Sequence, residues 1–222
     1  MLQEGESLSK ELRDNRRLAF FHSRFGAYYT YRGDHLLGLK YTEDAFEEAR
    51  KSQDIELIVP IAWSLCASYL GTGQFAKIVD IVPGVLDLLE KKERESDFFA
   101  MPVNPYSYLC GNCGYCMAYV GNFEEGKIFL EKGLRHAAQI GDLRTLGLVE
   151  LCYGHFFWAK GEWKPAIEHY EEGIKYAEEV KYLAVLAFCL AWLGGAYSYL
   201  GDPETGRSYV EARYWERHGC RC

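Results

Sequence analysis

Apolar residues along the chain fall into long runs at helical spacing, and short polar turns built on glycine cut those runs at near-regular intervals. The runs FFHSRFGAYYTY, LIVPIAWSLCASYL, SYLCGNCGYCMAYV, GLVELCYGHFFWA and YLAVLAFCLAWLGGAYSYL each suffice for several turns of helix. They end in RGDH at 32–35, TGQF at 72–75, VGNF at 120–123, KGEW at 160–163 and LGDP at 200–203. The turn glycines are Gly33, Gly73, Gly121, Gly161 and Gly201, separated by 40, 48, 40 and 40 residues. A second, amphipathic run follows each turn. The pattern is a repeat, and repeats govern the fold before any single motif does.

Aligning the units on the turn glycine exposes further order. Seven residues before it stand Gly26, Cys66, Gly114, Gly154 and Gly194, and four before it Tyr29, Tyr69, Met117, Phe157 and Tyr197. Five residues after it come Gly38, Ile78, Gly126, Ala166 and Gly206. Glycine inside a helix costs roughly 1 kcal/mol against alanine. A chain that repeats the cost at one position gains close approach of two helices there, with the aromatic filling the space beside the crossing. The turn glycine is expected at positive φ, ending the first helix. Each unit therefore reads as two antiparallel helices, A then B.

The set Tyr153, Gly154, Phe157, Gly161 and Ala166 resembles the tetratricopeptide repeat (TPR). Leu193, Gly194, Tyr197, Gly201 and Gly206 resemble it too, as do Phe25, Gly26, Tyr29, Gly33 and Gly38. The resemblance covers about residues 18–217. It implies an all-α fold, a right-handed α-solenoid of about five antiparallel helix pairs. The repeats would span about 18–54, 55–95, 106–142, 143–181 and 182–217. Residues 1–17 would form an N-terminal helical extension or cap, and 218–222 a tail. The 40-residue period resembles the MalT-like subgroup, found in C-terminal regions of bacterial signalling proteins such as ATPase-type activators and adenylate cyclases. GNFEEGKIFLEKGLRHA at 121–137 has that character.

The resemblance also implies where a ligand would lie, since the A helices of such arrays line a concave surface. On this chain the implied groove residues include Tyr31, Trp63, Tyr108, Tyr115, Tyr119, His155, Trp158 and Tyr199. About half of the implied concave residues are expected to be buried in the core. The set is aromatic and nearly uncharged, without the Lys and Asn with which chaperone-binding members hold a terminal carboxylate. Tyrosine and tryptophan offer large contact area with a polar tip. The expected function is a protein-interaction scaffold or regulatory module that takes a polypeptide in an aromatic groove. The alternative is a small-ligand-sensing domain of a signalling protein.

Some features break the repeat. Pro83-Gly84 falls inside the second B helix and is expected to kink it. Eight extra residues then precede the third unit, where Pro102 and Pro105 mark a break. Phe98, Phe99 and Met101 in that segment are expected to fold back onto the array, with a partner contact as the alternative. Asp202 before Pro203 reads as a helix N-cap. The last unit lacks an evident polar cap, so its end either continues the array or meets a partner or a second copy, giving a possible homo-oligomer.

Composition narrows the class. Hydrophobic residues make up 49% and charged residues 26%, as in ordinary globular chains, while the aromatic share of 15% is high. A net charge of −7 disfavours nucleic acid, and no apolar stretch is long enough to cross a membrane. The polar N-terminus carries no signal-peptide pattern, so the eight cysteines are expected as free thiols in the cytoplasm. Cys110, Cys113 and Cys116 in CGNCGYC have the spacing of some metal and cluster ligands. Mid-helix, and with a fourth ligand that would have to be distant, such as His218, Cys220 or Cys222 in the tail, they read first as small core residues. Zinc or cluster binding and thiol redox chemistry stay as minor alternatives. No Walker loop, G-x-S-x-G or H-E-x-x-H occurs, so neither enzyme nor cofactor is expected. His155 reads as a contact residue before a catalytic base. The glutamate pairs 47–48, 124–125, 171–172 and 178–179 read as solvated B-helix faces.

Overall fold

The computed structural model describes residues 2–218, with the side chains of 2, 3, 31 and 212–218 outside that description. The described residues form eleven helices and no strand: α1 Leu2–Glu11, α2 Asn15–Tyr31, α3 His35–Ser52, α4 Ile55–Gly71, α5 Phe75–Lys91, α6 Pro105–Tyr119, α7 Phe123–Gln139, α8 Leu143–Lys160, α9 Trp163–Glu179, α10 Leu183–Tyr199 and α11 Pro203–His218. They divide into two compact units, 1–101 with α1–α5 and 102–222 with α6–α11.

Within each unit the helices pair antiparallel across the glycine turns. At Gly33 (φ 82) the turn donates from Gly33 N to Thr30 O at 3.0 Å and from Asp34 N to Tyr29 O at 3.0 Å. The same two bonds recur at the other four turns, so one left-handed residue closes each A helix. The residue after the glycine starts the B helix. Asp34 and Asp202 cap it with a side-chain oxygen, accepting from Leu37 N at 3.1 Å and Thr205 N at 3.1 Å.

The helical glycines sit at helix crossings. A Cβ on Gly114 would lie 2.6 Å from the Gly126 carbonyl oxygen, and one on Gly126 would lie 2.5 Å from that of Gly114. Gly26 with Gly38, and Gly194 with Gly206, make the same reciprocal contact. The twelve-residue spacing seen in the sequence is thus the spacing of two backbones in contact. In the second pair Cys66 and Ile78 take these places, both fully buried.

The first unit's core is built from residues such as Phe25, Phe46, Ile58, Leu65, Val82 and Leu89. α1 is a separate helix, because Arg13 at φ 54 ends it and Asp14 caps α2 from Arg17 N at 3.0 Å. α5 runs unbroken through Pro83. Its buried Val82, Val85, Leu86 and Leu89 hold both halves to the core and outweigh the roughly 3 kcal/mol a mid-helix proline costs. After α5 the chain folds back: Arg94 pairs with Glu56 at 2.7 Å and with Asp97, and lies 4.7 Å over the Phe99 ring.

The second unit buries Leu109, Met117, Leu130, Phe156, Tyr170 and Leu193. Asn104 anchors the start of α6. Its side chain accepts from Ser107 N at 2.9 Å, and its backbone N–H donates to Thr145 Oγ1, on α8, at 2.8 Å. α6 is buried on every side from Pro105 to Ala118, which explains its lack of an amphipathic pattern.

Candidate functional site

Two helical glycines shape the site in the second unit, Gly154 of the repeat pattern and Gly195, which follows the pattern residue Gly194. A Cβ on Gly154 would lie 2.1 Å from the Tyr170 ring. In this pair Ala166 replaces the B-helix glycine, and the space at the crossing is taken by a tyrosine instead of a backbone. Tyr170 is fully buried, and its hydroxyl meets Nδ1 of His155 at 2.9 Å. Gly195 on α10 gives the second opening, where a Cβ would lie 2.9 Å from the Trp158 ring.

Around these openings the rings join into one chain across α6, α8, α9 and α10. Tyr119 meets Tyr115 edge-on at 6.2 Å, and Tyr115 meets His155 at 5.4 Å. His155 meets Trp192 at 4.7 Å, and Trp192 meets Trp158 at 4.8 Å. Trp158 stands perpendicular to Trp163 and Tyr199, which stack on each other at 4.6 Å. Edge-to-face geometry suits ring quadrupoles and holds each ring in place. Tyr115 is buried, His155, Trp158, Trp163 and Trp192 are half-buried, and Tyr119 and Tyr199 are exposed, Tyr199 at 64%. The chain is rooted in the core and opens at the surface.

Electrostatically the surface is quiet. Burial pushes the His155 pKa down to about 4, so the imidazole is neutral near pH 7. Burial pushes the Tyr170 hydroxyl up, so it stays protonated. With no charge at its centre, the surface favours apolar and aromatic groups with a few hydrogen bonds.

Of the residues expected to form the groove, Tyr115, Tyr119, His155, Trp158 and Tyr199 lie together here. Tyr108 is buried in α6. Trp63 is half-buried on α4 of the first unit, and Tyr31 ends α2 with its side chain outside the described residues. Trp163, Tyr170 and Trp192 belong to the ring chain and were not expected there. Trp163 opens a B helix, and Tyr170 crosses from α9 beneath Gly154. Only the Gly-Ala pair at 154 and 166 hinted at such a crossing.

CGNCGYC is a continuous stretch of α6. Cys110, Cys113 and Cys116 are each fully buried, and burial pushes the Cys113 thiol up to about 12. Among the described residues no group of three or more His, Cys, Asp or Glu side chains converges as metal ligands, while Cys220 and Cys222 lie outside them. The paired glutamates lie on half-buried to exposed B-helix surface, several bonded to a neighbouring turn, as Glu48 is to Lys51 at 2.8 Å. A different glutamate is buried. Glu150 on α8 is 6% exposed and bonds Nδ1 of His169 at 2.6 Å, with that imidazole stacked 4.5 Å from Tyr153.

Antiparallel helix pairs on a period of about 40 residues, three of them crossed at paired glycines, define a TPR-like helical-repeat fold. Solved structures share this fold at low sequence identity. BtubC (BKLC) from P. vanneervenii superposes with TM-score 0.68 at 16% identity, covering 100% of this chain and 89% of that one. The Rap protein complexed with competence and sporulation factor gives 0.74 at 16% identity, over 89% of this chain and 53% of Rap. A Podospora anserina kinesin light chain with nearly identical TPR-like repeats gives 0.59 at 14% identity, over 90% and 96%. No protein-family model matches the chain, and no curated protein does either. Among the described residues no helix is long and apolar enough to cross a membrane.

Proposed function

We propose that this chain is a protein-interaction module whose second unit binds an apolar or aromatic polypeptide segment on the ring chain from Tyr119 to Tyr199. One observation carries the reading: the rings are fixed edge to face from the core outward and end in exposed tyrosines, with no charge at the centre. Rings already held in place lose little entropy when a partner covers them, which suits them as binding anchors. Structures of the same fold include one solved in complex with competence and sporulation factor, consistent with a binding role. The 40-residue period, with its MalT-like resemblance, supports a regulatory setting within a signalling protein.

The test is affinity capture from the native lysate with the wild-type chain, Tyr199→Ala and Trp158→Ala. Circular dichroism first establishes that both variants stay helical. A polypeptide held by the wild type should bind each variant at least ~10-fold more weakly, with a negative heat-capacity change for the wild type. Equal capture by all three chains would remove the ring chain as the site. A metabolite bound in place of any polypeptide would turn the reading toward ligand sensing.

A further inference from the structure

The first unit carries an open cavity of about 580 Å³ between α1, α2 and α4. That volume falls in the range of small-molecule sites, roughly 300–1,000 Å³. Its apolar walls are Gly5 and Leu8 on α1, Phe20 and Phe21 on α2, and Leu57 on α4. Gly5 lets the Phe21 ring lie against α1, since a Cβ there would stand 2.2 Å from that ring. Phe20 meets Phe21 edge-on at 5.6 Å, and Arg24 lies 4.9 Å over the Phe20 ring. The rings are held in place, yet Leu8 is 51% exposed and Phe20 45%.

One polar and two charged residues complete the lining: Ser9, Arg16 and Arg17. Ser9 is buried, and its hydroxyl donates to the Gly5 carbonyl at 2.8 Å. Arg16 Nε pairs with Asp54 at 2.9 Å and Arg17 Nε with Asp14 at 3.3 Å, and both arginines are exposed. A guanidinium has more N–H donors than one carboxylate can take, so each arginine keeps donors for a second anion. The surroundings are basic on a chain whose net charge is −7. Lys10, Arg13, Arg16, Arg17 and Arg24 stand between residues 10 and 24, against Glu11 and Asp14.

Charge and hydrogen bonding together select the occupant. Two neighbouring guanidinium groups favour an anion, and a carboxylate matches their planar fork. The rest of the lining is carbon, with its one hydroxyl already used. A polypeptide laid along it would bury backbone N–H and C=O groups without partners. An alkyl or aryl chain has no such groups and gains by leaving water.

We propose that this cavity binds a single-chain amphiphile with an anionic end. Its apolar chain lies on Leu8, Phe20, Phe21 and Leu57, and its carboxylate is held by Arg16 and Arg17. The cavity belongs to the first unit, so the proposal does not rest on what the ring chain binds.

The test is calorimetric titration of the full chain with three probes of one chain length: decanoate, decanol and decyltrimethylammonium, each below the concentration at which it aggregates. Decanoate should bind at least ~10-fold more tightly than decanol, with the cation weakest. The double variant Arg16→Gln, Arg17→Gln should weaken decanoate by ~10-fold or more and leave decanol unchanged. Leu8 is half exposed, so Leu8→Asp should keep its helicity by circular dichroism, and it should abolish decanoate binding. Ile128→Asp, at a still more exposed apolar residue on α7, should not. A chain that takes no decanoate overturns the proposal, including one on which a polypeptide or a second copy covers the cavity. So does decanol bound as tightly as decanoate, or decanoate binding that survives the arginine double variant or Leu8→Asp.

Discussion

Glycine has opposite consequences at two places in these helices. At Gly206 an added methyl group would sit 2.4 Å from the Gly194 carbonyl oxygen, and backbone cannot move aside cheaply. Gly206→Ala should destabilise the chain by about 2–4 kcal/mol. At Gly84, in the middle of α5, nothing lies within 4 Å of the added methyl. Gly84→Ala should stabilise by about 0.5–1 kcal/mol through helix propensity alone. Urea unfolding of the two variants beside the wild type checks both signs. His155 offers a second test. Its folded pKa of about 4 lies below the unfolded value near 6.5, so the unfolded chain binds more protons between them. The associated stability is fully present above about pH 6.5 and is lost as pH falls toward 4. Between pH 7 and pH 5 the wild type should lose about 2 kcal/mol more than His155→Gln, measured by urea unfolding at each pH.

Helix boundaries are held by a few polar residues. Asn104 is fully buried at the head of α6 and joins it to α8 through Thr145. Asn104→Ala removes the cap and should cost about 1–2 kcal/mol. Thr145→Val keeps the shape and leaves the Asn104 N–H without its acceptor in a buried place, for a cost of about 1–3 kcal/mol. Chemical denaturation should show both losses, with far-UV ellipticity unchanged in the folded baseline. α6 itself shows how burial alters the meaning of a motif. Its three spaced cysteines look like ligands in one dimension. Buried on every side of a helix, with the Cys113 thiol pushed up to about 12, they behave as small apolar side chains.

At the scale of the whole molecule, each unit has its own core and its own glycine crossings. In repeat proteins stability is built mainly from neighbour-to-neighbour contacts. Residues 102–222 produced alone should therefore be helical and unfold in one cooperative transition. Circular dichroism against temperature reads this directly, and a non-cooperative or unfolded product would show that the second unit depends on residues 1–101.

The sequence alone determined the helix pairs, their turns and their crossings. A left-handed turn and a backbone contact each demand glycine at a fixed spacing, and few other residues meet the demand. It also marked Tyr119, His155, Trp158 and Tyr199 as residues of interest. Tertiary structure alone decided which rings meet. Trp163 and Trp192 join the same surface from α9 and α10 and Tyr170 lies buried beneath it, because Gly154 leaves room for the Tyr170 ring and Gly195 for that of Trp158. It decided burial too: Tyr108 and Tyr115 are core residues, while Phe188 at a matching position is open. Periodicity places a residue on a helix face. What covers that face depends on the neighbouring helix, and a local pattern does not contain it.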